Sequence, residues 1–192
     1  RMLVAATGAT VTVRGGEKIP PSGGVCFIGN HPGDFDVLLA LSLIDRPFGF
    51  TAKKEALFIP FINIWIWLLG GVFIDRKNVG KARRAIEAGA RRIRSGGAMI
   101  IFPEGTRNRG QGMLPFRAGA FKLATLADAV ILPLSITGSY GVWEATKTIR
   151  PVPVGIVFGD PIPTAGLSAD ERRLLPDRVR RVIEQGLEGQ GV

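Results

Sequence analysis

Between Ala56 and Ile74 the chain runs for nineteen residues, ALFIPFINIWIWLLGGVFI, without a formal charge. As one α-helix this run would be ~28 Å long at ~1.5 Å per residue, close to the ~30 Å of a bilayer's hydrocarbon. Three details argue against a span. Pro60 cannot donate into a helical ladder, Asn63 is polar, and Gly70-Gly71 before Val-Phe-Ile has the form of a turn into a buried strand. The run therefore predicts a short apolar helix, suited to a membrane interface, followed by a strand ending at Asp75.

The rest of the composition fits a globular chain. Of its 192 residues 46% are apolar and 21% charged, which suits one core and excludes a chain too polar to collapse. A single cysteine excludes an internal disulfide framework, and a single histidine excludes metal sites that need two imidazoles. The net charge of +9 fits nucleic acid, an anionic lipid or substrate, or a basic surface. Trp65 and Trp67 lie in the apolar run, away from the basic clusters, so they are poor base-stacking platforms and nucleic acid is not the expected partner. Met2 to Ala6 is too short for the apolar core of a targeting peptide.

Strands are expected at Val11 to Arg14, Val25 to Gly29, Ala98 to Phe102, Val130 to Ile136 and Val152 to Phe158. Pro32-Gly33 forces a turn after the second of these, and Asp34 or Asp36 can cap the helix that follows over Val37 to Ile44. Val79, Ala82, Ile86, Ala90 and Ile93 recur at helical spacing among Lys81, Arg83, Arg84, Arg91, Arg92 and Arg94, a basic amphipathic helix ending at Gly96-Gly97. Val179, Val182, Ile183 and Leu187 mark a last helix, in a C-terminal helical region of about 168–188. The alternation implies an α/β fold: one domain over 1–192, with a mixed, largely parallel sheet flanked by helices.

His31 stands at a strand-to-helix turn, where side chains are exposed yet rigidly placed. Folded back, Asp36 can accept a bond from one imidazole nitrogen and leave the other as a base; alternatively Asp36 serves only as a helix cap. Protein nucleophiles are scarce. Cys26 lies in an apolar strand, and Ser139 in Thr-Gly-Ser-Tyr-Gly lacks the first glycine of a nucleophile elbow. A substrate hydroxyl is the remaining nucleophile, which implies group transfer to an alcohol. Glu104 and Arg107 follow one strand and Arg76 another, at the sheet end where open α/β folds bind ligands, and arginine's planar fork suits a phosphate.

Asn30-His31 with Asp36, Gly71-Val72-Phe73-Ile74-Asp75-Arg76, Phe102-Pro103-Glu104-Gly105-Thr106-Arg107 and Val130-Ile131-Leu132-Pro133-Leu134 together resemble, in order and spacing, the four blocks of the glycerophospholipid acyltransferase family of the 1-acylglycerol-3-phosphate acyltransferase type. The resemblance runs from about Val25 to Pro163 and takes in Ala52-Lys53-Lys54-Glu55 and Phe116-Arg117-Ala118-Gly119-Ala120. Gly33 departs from the serine frequent in the family, Asn108 from the usual serine, and Arg117 from the usual lysine.

The resemblance implies a glycerol-3-phosphate acyltransferase-like fold. It implies transfer of an acyl group from acyl-CoA or acyl-carrier protein to the free hydroxyl of a lysophospholipid, lysophosphatidate foremost. His31 would be the base and Asp36 its orienter, with Lys53, Arg76, Glu104, Gly105, Thr106 and Arg107 at the acceptor headgroup and neither metal nor bound cofactor. An esterase or thioesterase is the alternative among enzymes. A non-catalytic basic module for membrane or nucleic acid is the alternative outside them. A lipid acceptor and a water-soluble carrier imply work at the cytoplasmic face of the cell membrane, as a peripheral or monotopic protein. Attachment is expected through Phe58, Phe61, Ile62, Trp65 and Trp67, with Lys and Arg drawn to an anionic membrane surface at about 1 kcal/mol each.

Overall fold

The computed structural model describes residues 2–60 and 62–189, with the Ile62 side chain left out, so the attachment roles expected of Phe61 and of that side chain lie outside what is described. The chain order is α1 (Met2–Ala5), β1 (Thr10–Arg14), β2 (Val25–Gly29), α2 (Phe35–Leu43), β3 (Phe48–Lys53), α3 (Ile62–Leu68), β4 (Val72–Ile74), α4 (Val79–Arg94), β5 (Ala98–Ile101), α5 (Lys122–Leu126), β6 (Val130–Thr137), α6 (Ser139–Val142), β7 (Pro153–Phe158), β8 (Ile162–Pro163) and α7 (Ala169–Glu188).

The strands form one sheet in the order β1-β7-β6-β2-β5-β3-β4. All neighbours along that path are parallel except β6 and β7. β8 adds a short antiparallel pairing to the start of β6. The fold is thus the mixed, largely parallel α/β sheet that the sequence predicts. The central β2 and β5 are buried on both faces, which explains their unbroken apolar runs Val25-Cys-Phe-Ile and Ala98-Met-Ile-Ile.

The uncharged run divides where its breakers stand. A 3₁₀ turn covers Lys54–Phe58, α3 follows Pro60, and Gly70-Gly71 leads into β4. Among the described residues no helix is long and apolar enough to cross a membrane. The basic helix keeps its expected limits. Asn78 caps it by accepting the Lys81 N–H at 2.9 Å, and Gly96, at φ 87°, ends it. α7 begins with a reciprocal Ser168–Glu171 capping box, which holds the Glu171 carboxyl below its usual range.

Two features correct the sequence reading. Phe48–Lys53 is a full strand between β4 and β5. Asp34 and Asp36 do not cap α2: Asp34 occupies the cap position without a capping bond, and Asp36 turns back toward His31.

Each sheet face carries its own core. On one face Phe27, Phe48, Leu132 and Phe158 pack with Phe35 and Leu39 of α2 and Val4 of α1. On the other Cys26, Ile28, Met99 and Ile131 pack with Ile93 of α4, Leu123 of α5 and Val179 and Ile183 of α7. Burying one such large side chain contributes about 1.5–3 kcal/mol, so truncating Ile93 at the centre of the second core would cost about 2–5 kcal/mol. The arrangement sends α1 and α2 to one side and both arginine-rich helices, α4 and α7, to the other.

Candidate active site

Because β2, β3, β4, β5 and β6 are parallel, the loops leaving their carboxyl ends gather along one edge of the sheet. Asn30 extends β2: its amide donates to the Ile136 carbonyl and accepts the Ile136 N–H, both at 2.8 Å. This double bond fixes the direction in which the chain leaves the strand. His31 follows, and Pro32-Gly33 bends the backbone so that α2 can start.

The His31 Nδ1 lies 2.7 Å from Asp36 Oδ2, which also accepts the Gly33 N–H at 3.0 Å. With Asp36 as a carboxylate accepting both contacts, the bond places a proton on Nδ1, and in the neutral imidazole that tautomer leaves Nε2 its lone pair. Asp36 is fully buried, whereas the His31 side chain stays 17% exposed, enough to meet a substrate. The imidazole stacks on Phe102, with ring centroids 4.0 Å apart and planes within 10°. That contact removes a second degree of freedom from the ring.

The loop after β5 wraps around this pair. Buried Glu104 accepts the His31 N–H at 2.8 Å and the Asn108 side-chain amide at 3.1 Å on Oε1, and the Leu114 N–H at 2.8 Å on Oε2. The Asn108 N–H in turn donates to the His31 carbonyl at 2.8 Å. Both backbone groups of His31 are therefore held by this loop.

Gly105 occupies the left-handed region at φ 71°, as a tight turn by a non-glycine residue would do only under strain. Arg76, arriving from β4, donates to the Gly105 carbonyl at 2.9 Å. A Cβ on Gly105 would lie 2.7 Å from the Arg76 guanidinium and 2.9 Å from Arg117 Nε, so two cations flank this one small residue. Burial, followed by the positive charge of Arg117, lowers the Arg76 pKa from its ordinary value. A crowded pair of cations at a sheet edge is a place for an anion.

Arg107 is compensated instead. It donates to the Asp34 carboxylate and, at 2.8 Å, to Oε1 of Glu144. Lys53 ends β3, paired in register with Ile74, and Thr106 is exposed beside Gly105. Neighbouring Lys54 is bonded to Asp75 at 3.0 Å, which holds the Asp75 carboxyl below its usual range. The fold thus brings His31, Asp36, Glu104, Gly105 and Asn108 together, with Arg76 and Arg117 beside them. Cys26 and Ser139 are fully buried, and burial raises the Cys26 thiol far above its ordinary value.

Three participants escape the sequence reading. Arg117 is visible only as a position in a matched stretch. Glu144 stands alone in a polar loop. Arg180 of α7 donates to the Leu114 carbonyl at 2.9 Å and lies over the Phe116 ring at 5.4 Å, bracing the segment that holds Glu104.

Residues 10–137, which carry every element of this edge up to the end of β6, match the sequence model of the family described as Acyltransferase. The chain belongs to the acyltransferase family. It is 35% identical over 165 residues to 1-acyl-sn-glycerol-3-phosphate acyltransferase from Haemophilus influenzae, covering 83% of this chain and 66% of that one. It is 34% identical over 183 residues to the human alpha enzyme of the same name, covering 90% of this chain and 62% of that one. The chain therefore spans slightly less than two thirds of the length of these acyltransferases. Among solved structures, the 1-acyl-sn-glycerophosphate acyltransferase of Thermotoga maritima superposes with a TM-score of 0.80 at 30% identity, covering 94% of this chain and 72% of that one.

Proposed function

We propose that this acyltransferase moves a fatty acyl group from a thioester carrier, acyl-CoA or acyl-carrier protein, to the free hydroxyl of lysophosphatidate, giving phosphatidate. The observation that carries the reading is the His31–Asp36 pair beside Arg76 and Arg117, the two cations that flank Gly105. Nε2 of His31 takes the proton of the acceptor hydroxyl as its oxygen attacks the thioester carbonyl. The tetrahedral intermediate collapses, the C–S bond breaks, and the imidazolium returns its proton to the leaving thiolate. The products are the new ester and the free thiol of the carrier. No metal or bound cofactor takes part in this sequence. A positioned histidine base contributes about 10²–10⁴ in rate.

Arg76 and Arg117 hold the acceptor phosphate over Gly105, with Lys53 and Thr106 at the margin. Arg107 serves the same site with its charge already matched by Asp34 and Glu144. Glu104 acts as a positioning residue, since its oxygens accept from His31, Asn108 and Leu114. The burial of Cys26 and Ser139 favours an acceptor alcohol over a protein nucleophile, and hence transfer over hydrolysis.

In this reading the enzyme works at the cytoplasmic face of a membrane, where its water-soluble acyl carrier is, and the apolar face supports attachment to a membrane surface. Phe58 and Trp67 are 82% and 72% exposed, and Trp65 and Leu68 join Leu3, Leu38, Leu41 and Leu69 around an apolar groove of about 370 Å³. This groove lies on the α1–α2 side of the sheet, opposite α4 and α7. Attachment in this reading therefore rests on the aromatic surface, and the arginines of α4 and α7 contribute little to it.

The deciding experiment offers radiolabelled acyl-CoA with lysophosphatidate, other lysolipids or glycerol 3-phosphate, and with no acceptor. Label should enter phosphatidate, and His31→Ala should lose the transfer while keeping its circular dichroism. Free fatty acid released at one rate with and without acceptor would mean hydrolysis and overturn the reading.

A further inference from the structure

A second buried carboxylate near the reacting pair is Glu144, two residues past α6. The turn of α6 sets its place, with the Glu144 N–H donating to the Tyr140 carbonyl at 3.1 Å. Its side chain is nearly buried, and both oxygens are used: Oε2 accepts the Asp34 N–H at 2.6 Å, and Oε1 accepts Arg107 at 2.8 Å. One carboxylate thus joins the first residue before α2, the helix that carries Asp36, to the loop that carries Glu104 and Asn108. A residue from a third loop adds in this way to the direct bonds between the two halves of the site.

The room for this carboxylate comes from Gly33. A Cβ at position 33 would lie 2.2 Å from Glu144 Oε2 and 3.2 Å from the Tyr140 Cα. The first of these is far inside van der Waals contact, and the atom it meets is held by the Asp34 N–H. Gly33 is not among the glycines in the left-handed region, so what a side chain there meets is crowding by the Glu144 carboxylate and the Tyr140 backbone and not backbone strain. Gly33 also donates to Asp36 Oδ2, so any shift of its backbone moves the histidine's own acceptor.

We infer that Glu144 is a positioning residue for the His31–Asp36 pair, acting through the Asp34 N–H and Arg107, and that Gly33 is its required partner. The inference rests on the acyl-transfer reading for its kinetic consequences only. Glutamine at 144 has a single acceptor oxygen, so it keeps either the α2 bond or the Arg107 bond and turns an N–H₂ toward the other donor. The loss falls on alignment, because Arg76 and Arg117, which hold the phosphate, are not bonded to Glu144, and Arg107 keeps its Asp34 partner when Glu144 changes.

The test compares Glu144→Gln, Glu144→Ala, Gly33→Ser and the double variant Gly33→Ser/Glu144→Ala in the full chain. Glu144→Gln should lower kcat about tenfold or more and leave KM for lysophosphatidate within about twofold, as expected for a small misplacement of reacting groups. Gly33→Ser should be slower still. The double variant should be no slower than Glu144→Ala alone, because the serine then enters vacated space. His31 is the only histidine of the chain, so the imidazole ¹⁵N spectrum reports on this residue alone. Its signals should shift in Glu144→Gln and Gly33→Ser. Unchanged signals, a Gly33→Ser rate equal to wild type, or losses that multiply in the double variant would overturn the inference. If the wild-type chain transfers no acyl group to any lysolipid, the acyl-transfer reading fails, and the ¹⁵N spectra of the same variants still decide the role of Glu144.

Discussion

Oε1 of Glu104 sits 2.8 Å from the backbone nitrogen of His31, seventy-three residues away in sequence. The histidine is therefore held at both ends. Asp36 and Phe102 fix its ring, and Glu104 with Asn108 fixes its peptide.

Glu104→Gln should be damaging although it changes the side chain by one atom. The carboxylate accepts from three donors on two oxygens, and the amide offers one acceptor oxygen and two new donors. One buried N–H must then lose its partner, at a cost of about 1–3 kcal/mol. Denaturant unfolding should show that loss of stability, and the acyl-transfer rate should fall with it.

Arg76→Ala and Arg117→Ala should each raise KM for the phosphate-bearing acceptor about tenfold to a hundredfold, with a smaller change in kcat. This is the size of a lost hydrogen bond between charged partners, about 1.5–3 kcal/mol. A neutral acceptor such as a monoacylglycerol should not register the substitutions. Initial-rate measurements with both acceptors would separate the phosphate contribution from general damage.

Asp75, just before Arg76, predicts an acid limb to stability. Its folded pKa lies below the ordinary carboxylate value because Lys54 donates to it. Its stabilisation is thus present above the unfolded pKa of about 3.9 and is lost as pH falls through the folded value. Thermal melts from pH 7 down to about pH 3 should show Asp75→Asn with a shallower acid limb than wild type.

Vesicle flotation should show attachment that survives high salt, because the contact is apolar. The tryptophan emission should shift to the blue on binding. Replacing Phe58 and Trp67 by serine should release the protein, whereas replacing Arg83 and Arg84 of α4, on the other side of the sheet, should not.

Much of this was legible in the residues. The strand, the turn at Pro32-Gly33 and the helix after it are legible, and the 3.6-residue period fixes α4. Local sequence leaves Asp36 either as a helix cap or as the partner of His31, and the structure decides for His31. β3 was not legible. Phe-Gly-Phe-Thr-Ala-Lys has no clean alternation and runs into Lys54-Glu55 without a breaker, so only its neighbours β5 and β4 make it a strand. Glu144 was invisible for a related reason: its importance lies in an empty volume beside Gly33, and a sequence does not display volumes. The placing of α4 and α7 away from the apolar groove follows from sheet order, which net charge cannot express.

In the proposed mechanism, the stacking of His31 on Phe102 ties catalysis to assembly of the sheet. Ile28 and Ile101 are the last partners in the β2–β5 register; Phe102 comes one residue after Ile101 and His31 three after Ile28, so the two rings meet just beyond the ends of neighbouring strands. A slip of one residue would send Phe102 to the opposite face of the sheet and leave the imidazole unsupported. A refolding chain should therefore regain turnover only when these two central strands have paired in native alignment, which makes recovery of activity a clock for the maturation of the sheet's interior.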